Sequence, residues 1–255
     1  MAINKDGNGY TFGFAIVLVI VVGTILSLLA KGLEPLQDRN EEVKKKLDIL
    51  SAMMDVEALG IDRSNAEEEF DKYLNIADAL VLDANGNIID GIKDVNGSVI
   101  EGTAFNVDIR KEIKNKKRDE KNRNYPLFIA KQDGKTSYII PIVGKGLWGP
   151  IWGNICIDND MNTIKGASFG HKGETPGLGA EINKRFFINR WIGEQISDDN
   201  GMFQKFEVVK DGSGPSQKSK VDGITGGTIT SKGVEEMANR CLKVYVSYFN
   251  SLKKN

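Results

Sequence analysis

The sequence predicts an α+β fold, in which a single N-terminal transmembrane helix is followed by an antiparallel-sheet domain with flanking helices. Three observations predict it. Residues 7–30, "GNGYTFGFAIVLVIVVGTILSLLA", hold no charged side chain. The middle of the chain is a series of strand-like runs broken by turn residues, without the regular strand–helix alternation of a doubly wound sheet. Near the C-terminus, apolar side chains recur at three- and four-residue steps, the mark of an amphipathic helix.

The uncharged run would measure about 36 Å as a helix, enough to cross a bilayer's hydrocarbon core. Tyr10 and Phe12 lie where an interfacial anchor is useful. A secretory signal fits less well: Lys5 and Asp6 cancel, the core is long, and Leu28 occupies the position that a small residue should hold before Ala30. We therefore expect a short tail at residues 1–10, a transmembrane helix at 11–31, helical stem or peripheral segments at 32–75 and an α+β domain at 76–255. Lys5 and Lys31 flank the span evenly, so the positive-inside rule assigns no side.

In the stem, Val43, Leu47, Leu50 and Met54 fall at helical spacing. "SNAEEEFDKYL" reads as a second helix capped by Ser64 or Asn65. "ADALVLDANGNIIDG" reads as two short strands about an "ANGN" turn, and the charged stretch 108–124 as a loop or short helix. Residues 125–158 read as successive strands with a "QDGK" turn. An aromatic amphipathic helix is expected near "EINKRFFINRWIGEQI", and a further strand at "KFEVVKDG". In the last helix Val234, Met237, Cys241, Val244, Tyr245 and Tyr248 form the apolar stripe.

Composition narrows the function classes. The net charge is -1, which argues against nucleic acid as a partner. One histidine and two cysteines outside any CxxC pattern argue against a protein-only Cys/His zinc site. Cys156 and Cys241 lie in apolar runs and read as buried free thiols. No nucleophile–His–Asp set, HExxH or paired-carboxylate arrangement stands out, so any redox or transfer chemistry has to come from a bound cofactor.

Three clusters are candidates for holding one. Residues 222–233, "DGITGGTITSKG", put three threonines and four glycines just before a helix that is expected to begin near Ser231. Thr230 or Ser231 would cap that helix, leaving its first amides free for an anion. Gly226 and Gly227 clear space for a phosphate, Thr225, Thr228 and Thr230 offer hydroxyls, and Asp222 braces the turn. The same residues would also serve a structural cap and turn. The stretch is neither a Walker motif nor a dinucleotide fingerprint. The second cluster, "HKGETPGLG", carries the lone His171 and then Glu174, Thr175, Pro176, Gly177, Leu178 and Gly179. The third, "GKGLWGPIWG", sets Leu147, Trp148 and Trp152 among glycines, either as core residues or as the wall for a planar ligand.

Taken together these clusters resemble the FMN-binding domain family of the C subunit of the sodium-translocating NADH:quinone reductase. That family's attachment motif, DGxSGAT followed by xT, stands here as Asp222, Gly223, Ile224, Thr225, Gly226, Gly227, Thr228, Ile229 and Thr230. Thr225 replaces a common serine and Gly227 a common alanine, which preserves a hydroxyl and a small residue. The "GETPGLG" element and the "GKGLWG" segment match as well, and the resemblance covers nearly the whole chain. The G subunit of the Rnf ferredoxin:NAD oxidoreductase shares the anchor and two of these elements but is shorter. The region 33–75 and the charged segment 114–128 favour the quinone-reductase family.

The resemblance implies FMN attached by a phosphoester to Thr228, installed from FAD by a separate flavin transferase. It implies a pocket formed by Leu147, Trp148, His171, Glu174–Gly179, Asp222, Gly223, Thr225, Gly226, Gly227 and Thr230. It further implies an electron carrier that receives electrons from a membrane iron–sulfur centre and passes them to the FMN of the B subunit, within a complex that exports sodium. The partners would be the A, B, D, E and F subunits and the lipid bilayer, with the domain on the periplasmic side of a bacterial inner membrane. Activity would belong to the complex, an NADH:ubiquinone reductase, and the uncharged span offers no sodium pathway of its own. Two other classes remain open from the residues alone: an anchored sensory domain that binds a free nucleotide or phosphate, and a structural assembly protein.

Overall fold

The computed structural model describes residues 7–115 and 117–253. The chain divides into two units, Met1–Lys45 and Lys46–Asn255. The first is helical: α1, Asn8–Met53, begins in it and continues past Lys45. Its apolar stretch is exposed on every side, with a mean hydropathy of 2.8, and it is long and apolar enough to cross a membrane. Of the expected tail, residues 1–6 lie outside the described residues, and Asn8–Tyr10 already belong to the helix.

In the second unit, the end of α1 is followed by α2 (Ala66–Tyr73), β1 (Leu80–Leu82), the small pair β2 (Ile92–Lys93) and β3 (Val99–Ile100), and α3 (Ile109–Lys114). Then come the long strands β4 (Tyr125–Gln132), β5 (Lys135–Lys145), β6 (Pro150–Ile157) and β7 (Ile164–His171). A short turn of helix, α4 (Arg185–Ile188), precedes β8 (Glu207–Val209) and β9 (Lys220–Asp222), and α5 (Thr228–Lys253) closes the fold.

The main sheet has the order β1-β4-β5-β6-β7, and all its neighbours are antiparallel. Both faces are covered. Alternation along β5 turns Tyr138, Ile140 and Ile142 toward α5, which buries Val234, Met237, Cys241, Tyr245 and Tyr248 against them. Ile139 faces the other way, packing with Phe128, Cys156, Phe70 of α2 and Ile49, Leu50 and Ala52 at the end of α1. Each large apolar side chain fully buried in these layers contributes about 1.5–3 kcal/mol. Tyr245 also donates its hydroxyl to the carbonyl of Pro126 at 2.8 Å, which ties the helix to β4. Both cysteines are free and buried. Burial pushes the Cys156 thiol up to about 12, against a smaller opposing pull from Lys165 and Ser137.

One sequence expectation needs correction here. The aromatic helix near residues 181–196 is not continuous: a 3-10 turn at Gly179–Asn183 and the four-residue α4 replace it. The cause is strand-like bonding beyond it, where the amide of Gly193 donates to Ile164, the amide of Ile164 to Glu194 and the amide of Ile196 to Asn162. A helix could not offer those groups outward, while Phe187, Trp191 and Ile196 still reach the core. The expected strand at "KFEVVKDG" forms as β8, which pairs with β9 in a separate two-stranded parallel sheet.

Candidate functional site

Three segments meet at one end of α5. The first is the turn between β5 and β6, closed by the amide of Gly146 donating to Gly149 at 2.8 Å. The second leaves β7 at His171 and folds into a tight turn, in which the amides of Leu178 and Ala180 both donate to the carbonyl of Thr175 at 3.1 Å. The third runs from β9 into the first turn of α5. Gly226 has φ +74 there, a backbone state that costs glycine little, and a Cβ on it would lie 2.5 Å from Leu178.

Glu174 joins the three. Its Oε1 accepts from the amides of Trp148 at 2.8 Å and Gly149 at 3.2 Å, and its Oε2 from the hydroxyl of Thr230 at 2.5 Å. The Thr230 hydroxyl in turn accepts from the amide of Leu147 at 3.4 Å. The amide of Glu174 donates to Nδ1 of His171 at 3.1 Å. Glu174 and Thr230 are 4% and 2% exposed: a carboxylate buried in an otherwise open loop meets a hydroxyl buried in the first turn of α5. Burial alone would raise the Glu174 carboxyl; the Thr230 hydroxyl and the amides of Trp148, Gly149 and Leu147 outweigh it and hold the group below its ordinary value.

The head of α5 is open by contrast. The amides of Thr228, Ile229 and Thr230 have no acceptor among the described residues. Thr228 is half-buried, and its hydroxyl has no hydrogen-bond partner among them. The three segments also carry four large exposed apolar side chains: Trp148 (69%), Ile229 (59%), Leu147 (48%) and Leu178 (41%). An electropositive helix end with a free hydroxyl, bordered by an apolar rim, fits a molecule with a phosphate at one end and an aromatic ring at the other.

Residues 146–243, which carry all three segments, match the FMN-binding domain family. The C subunit of the Na(+)-translocating NADH-quinone reductase of Vibrio anguillarum is 30% identical over 92% of this chain and 90% of its own length. The chain belongs to this family of Na(+)-translocating NADH-quinone reductase C subunits. The crystal structure of the C subunit from Parabacteroides distasonis is 38% identical, covers 85% of this chain and 96% of that one, and superposes with a TM-score of 0.69. Shewanella oneidensis NqrC is 25% identical, covers 86% of this chain and 100% of that one, with a TM-score of 0.60. The long apolar helix followed by an antiparallel sheet with helices is thus the fold of the C-subunit family.

Within this member of the family the sequence-chosen residues gather in one place, in different roles. Thr225, Thr175, Pro176, Gly177 and Leu178 are exposed, while Gly227 and Gly179 are buried beneath them. Gly177 donates its amide to Glu181 at 2.9 Å. Asp222 does not brace its own turn: its carboxylate accepts from Gly214 at 3.2 Å, across the neighbouring loop. The helix starts at Thr228, three residues before the expected position near Ser231. Ser231 is buried in the first turn, accepting from Ile224 and donating to Gly227, both at 3.0 Å. Lys232, whose charge could otherwise serve a phosphate at this helix end, pairs with Glu235 at 2.6 Å. Trp148 is exposed, and the buried tryptophan of the core is Trp191.

Two contributors carried no sequence signal. Arg190 donates to the carbonyls of Asp222 at 2.8 Å and Gly223 at 3.1 Å, fixing the start of the 222–227 turn from a loop more than thirty residues away. Gly233 lets α5 approach β5, since a Cβ there would lie within contact distance of the Lys145 carbonyl. Neither an arginine in a loop nor a glycine in a helix announces its partner.

Proposed function

We propose that this chain is the FMN-carrying, membrane-anchored electron carrier of a sodium-pumping NADH:quinone oxidoreductase, with FMN held through a phosphoester on Thr228. The observation that carries this reading is the Thr228 hydroxyl, unpartnered among the described residues and half-buried at the head of α5 beside free amides. Attachment joins that oxygen to the FMN phosphorus as the pyrophosphate of FAD breaks and AMP leaves. The hydroxyl proton is released, and a separate flavin transferase supplies the active groups. The amides of Thr228, Ile229 and Thr230 offset the phosphate charge. Leu147, Trp148 and Leu178 would hold the ring and shield it from water, and the 174–179 turn would offer it backbone groups.

When attached, the flavin would supply one-electron chemistry between a membrane iron–sulfur centre and the FMN of the B subunit. The protein supplies position. Residues 11–31 anchor the chain in the inner membrane, residues 32–75 form the stem and peripheral helices, and residues 76–255 form the flavin domain on the periplasmic side. The A, B, D, E and F subunits complete the enzyme, and the complex as a whole couples the reaction to sodium export.

The test is Thr228→Ala in the full chain, expressed with the flavin transferase. In-gel flavin fluorescence of the denatured protein should vanish while circular dichroism stays that of the parent. Fluorescence at full strength in the variant would overturn the assignment.

A further inference from the structure

Among the described residues Glu174 is the one buried carboxylate at this end of the fold, flanked in sequence by exposed Gly173 and Thr175. Both its oxygens are taken by donors of the chain: the amides of Trp148 and Gly149 on Oε1, and the Thr230 hydroxyl on Oε2. It is also tightly enclosed. A Cβ on Gly146 would lie 2.6 Å from Oε1, and one on Gly179 would lie 2.6 Å from Oε2 and 2.5 Å from the Thr230 hydroxyl. Two glycines therefore shape the space in which the carboxylate meets Thr230.

Thr230 lies in the same helical turn as Thr228. The first turn of a helix lacks half its backbone hydrogen bonds and is where fraying begins. A side chain locked at Thr230 holds the rotation of that turn, and with it the direction of the Thr228 Cα–Cβ bond that carries the hydroxyl. The Leu147 amide on the same hydroxyl ties the apolar rim to the same point.

We propose that Glu174 is a positioning residue for flavin attachment: through its hydrogen bond to Thr230 it holds the head of α5 so that Thr228 presents its hydroxyl to the incoming flavin pyrophosphate. This rests on Thr228 being the attachment residue. It assigns Glu174 a contact with the protein rather than with the flavin. The effect is geometric, so a neutral side chain of the same shape serves. Glutamine keeps an acceptor for the Trp148 and Gly149 amides and turns a donor toward the Thr230 oxygen.

The experiment measures the initial rate of covalent flavin incorporation from FAD by the transferase. It uses the full chain in detergent, read as in-gel fluorescence per folded molecule, with circular dichroism and melting temperature recorded for each variant. Glu174→Ala and Thr230→Val should each slow incorporation by about tenfold or more, because small displacements of a reacting group are costly. Glu174→Gln and Thr230→Ser should stay within about threefold of the parent, since each keeps the link. A merely structural role would shift melting and leave the rate per folded molecule unchanged. Thr230→Val, nearly isosteric, decides the matter where Glu174→Ala fails to fold. Parent-like rates in Thr230→Val, with Thr228→Ala unlabelled, would overturn the role of Glu174 and leave the attachment site standing. Full labelling of Thr228→Ala would overturn both.

Discussion

At the residue scale the site depends on how a few polar groups divide their hydrogen bonds. Thr228 and Thr230 are two residues apart, yet among the described residues one hydroxyl is free and the other is enclosed by Glu174 and Leu147. The hydroxyl-rich stretch 222–233 and the 174–179 turn were legible in the sequence as clusters. The resemblance singled out Thr228, but the enclosure of Thr230 was not legible, because it depends on a carboxylate 56 positions away in sequence. The Glu174 carboxyl makes a prediction about acid stability. Its folded-state pKa is lowered from 4.5, so its contribution is present above that value and disappears as pH falls through the folded-state pKa. Melting curves of the full chain taken between about pH 6 and pH 3 should lose less stability on acidification in Glu174→Gln than in the parent. Identical slopes would contradict the assignment. Thr225 is exposed, so Thr225→Ala should lower flavin loading without abolishing it, as quantified by mass spectrometry of the peptide that carries Thr228.

At the element scale, periodicity located the C-terminal helix and the long strands because each has one dominant packing partner. The apolar stripe Val234, Met237, Cys241, Val244, Tyr245, Tyr248 is buried throughout, and Ile139 and Ile140 of β5 face opposite layers. Periodicity failed between residues 179 and 196, where a similar density of apolar residues serves an irregular chain bonded to the start of β7. It also set the start of α5 too late, because serine and threonine are common both as caps and inside a first turn whose side chains bond back to the backbone. The approach of α5 to β5 rests on Gly233, where a Cβ would collide with the Lys145 carbonyl. Gly233→Ala should push the helix off the strand, destabilising the fold by about 1–3 kcal/mol. Flavin loading should fall with it, because the turn that bears Trp148 moves relative to Thr228. Chemical denaturation and in-gel fluorescence of the same preparation would check both outcomes; unchanged stability would show that the approach tolerates a side chain.

At the scale of the whole molecule, the chain is a membrane-anchored member of the C-subunit family with an FMN-binding domain. The anchor was the plainest feature of the sequence, since 24 uncharged residues suit lipid far better than water. Full-length chain should stay with the membrane through alkaline carbonate extraction, and replacing residues 11–31 by a cleavable signal should release the flavin domain into the soluble fraction. What composition could not supply was the assembly of the site from three segments at one end of α5, because the register of β5–β7 places two of them and side-chain links from Glu174 and Arg190 tie them to the third. The central claim is covalent, and one measurement addresses it most directly: the intact mass of the protein isolated from its native membrane. The account predicts a mass above that of the polypeptide by FMN less one water, with the surplus on the peptide containing Thr228. A fully assembled preparation in which that peptide weighs only what its amino acids weigh would contradict it.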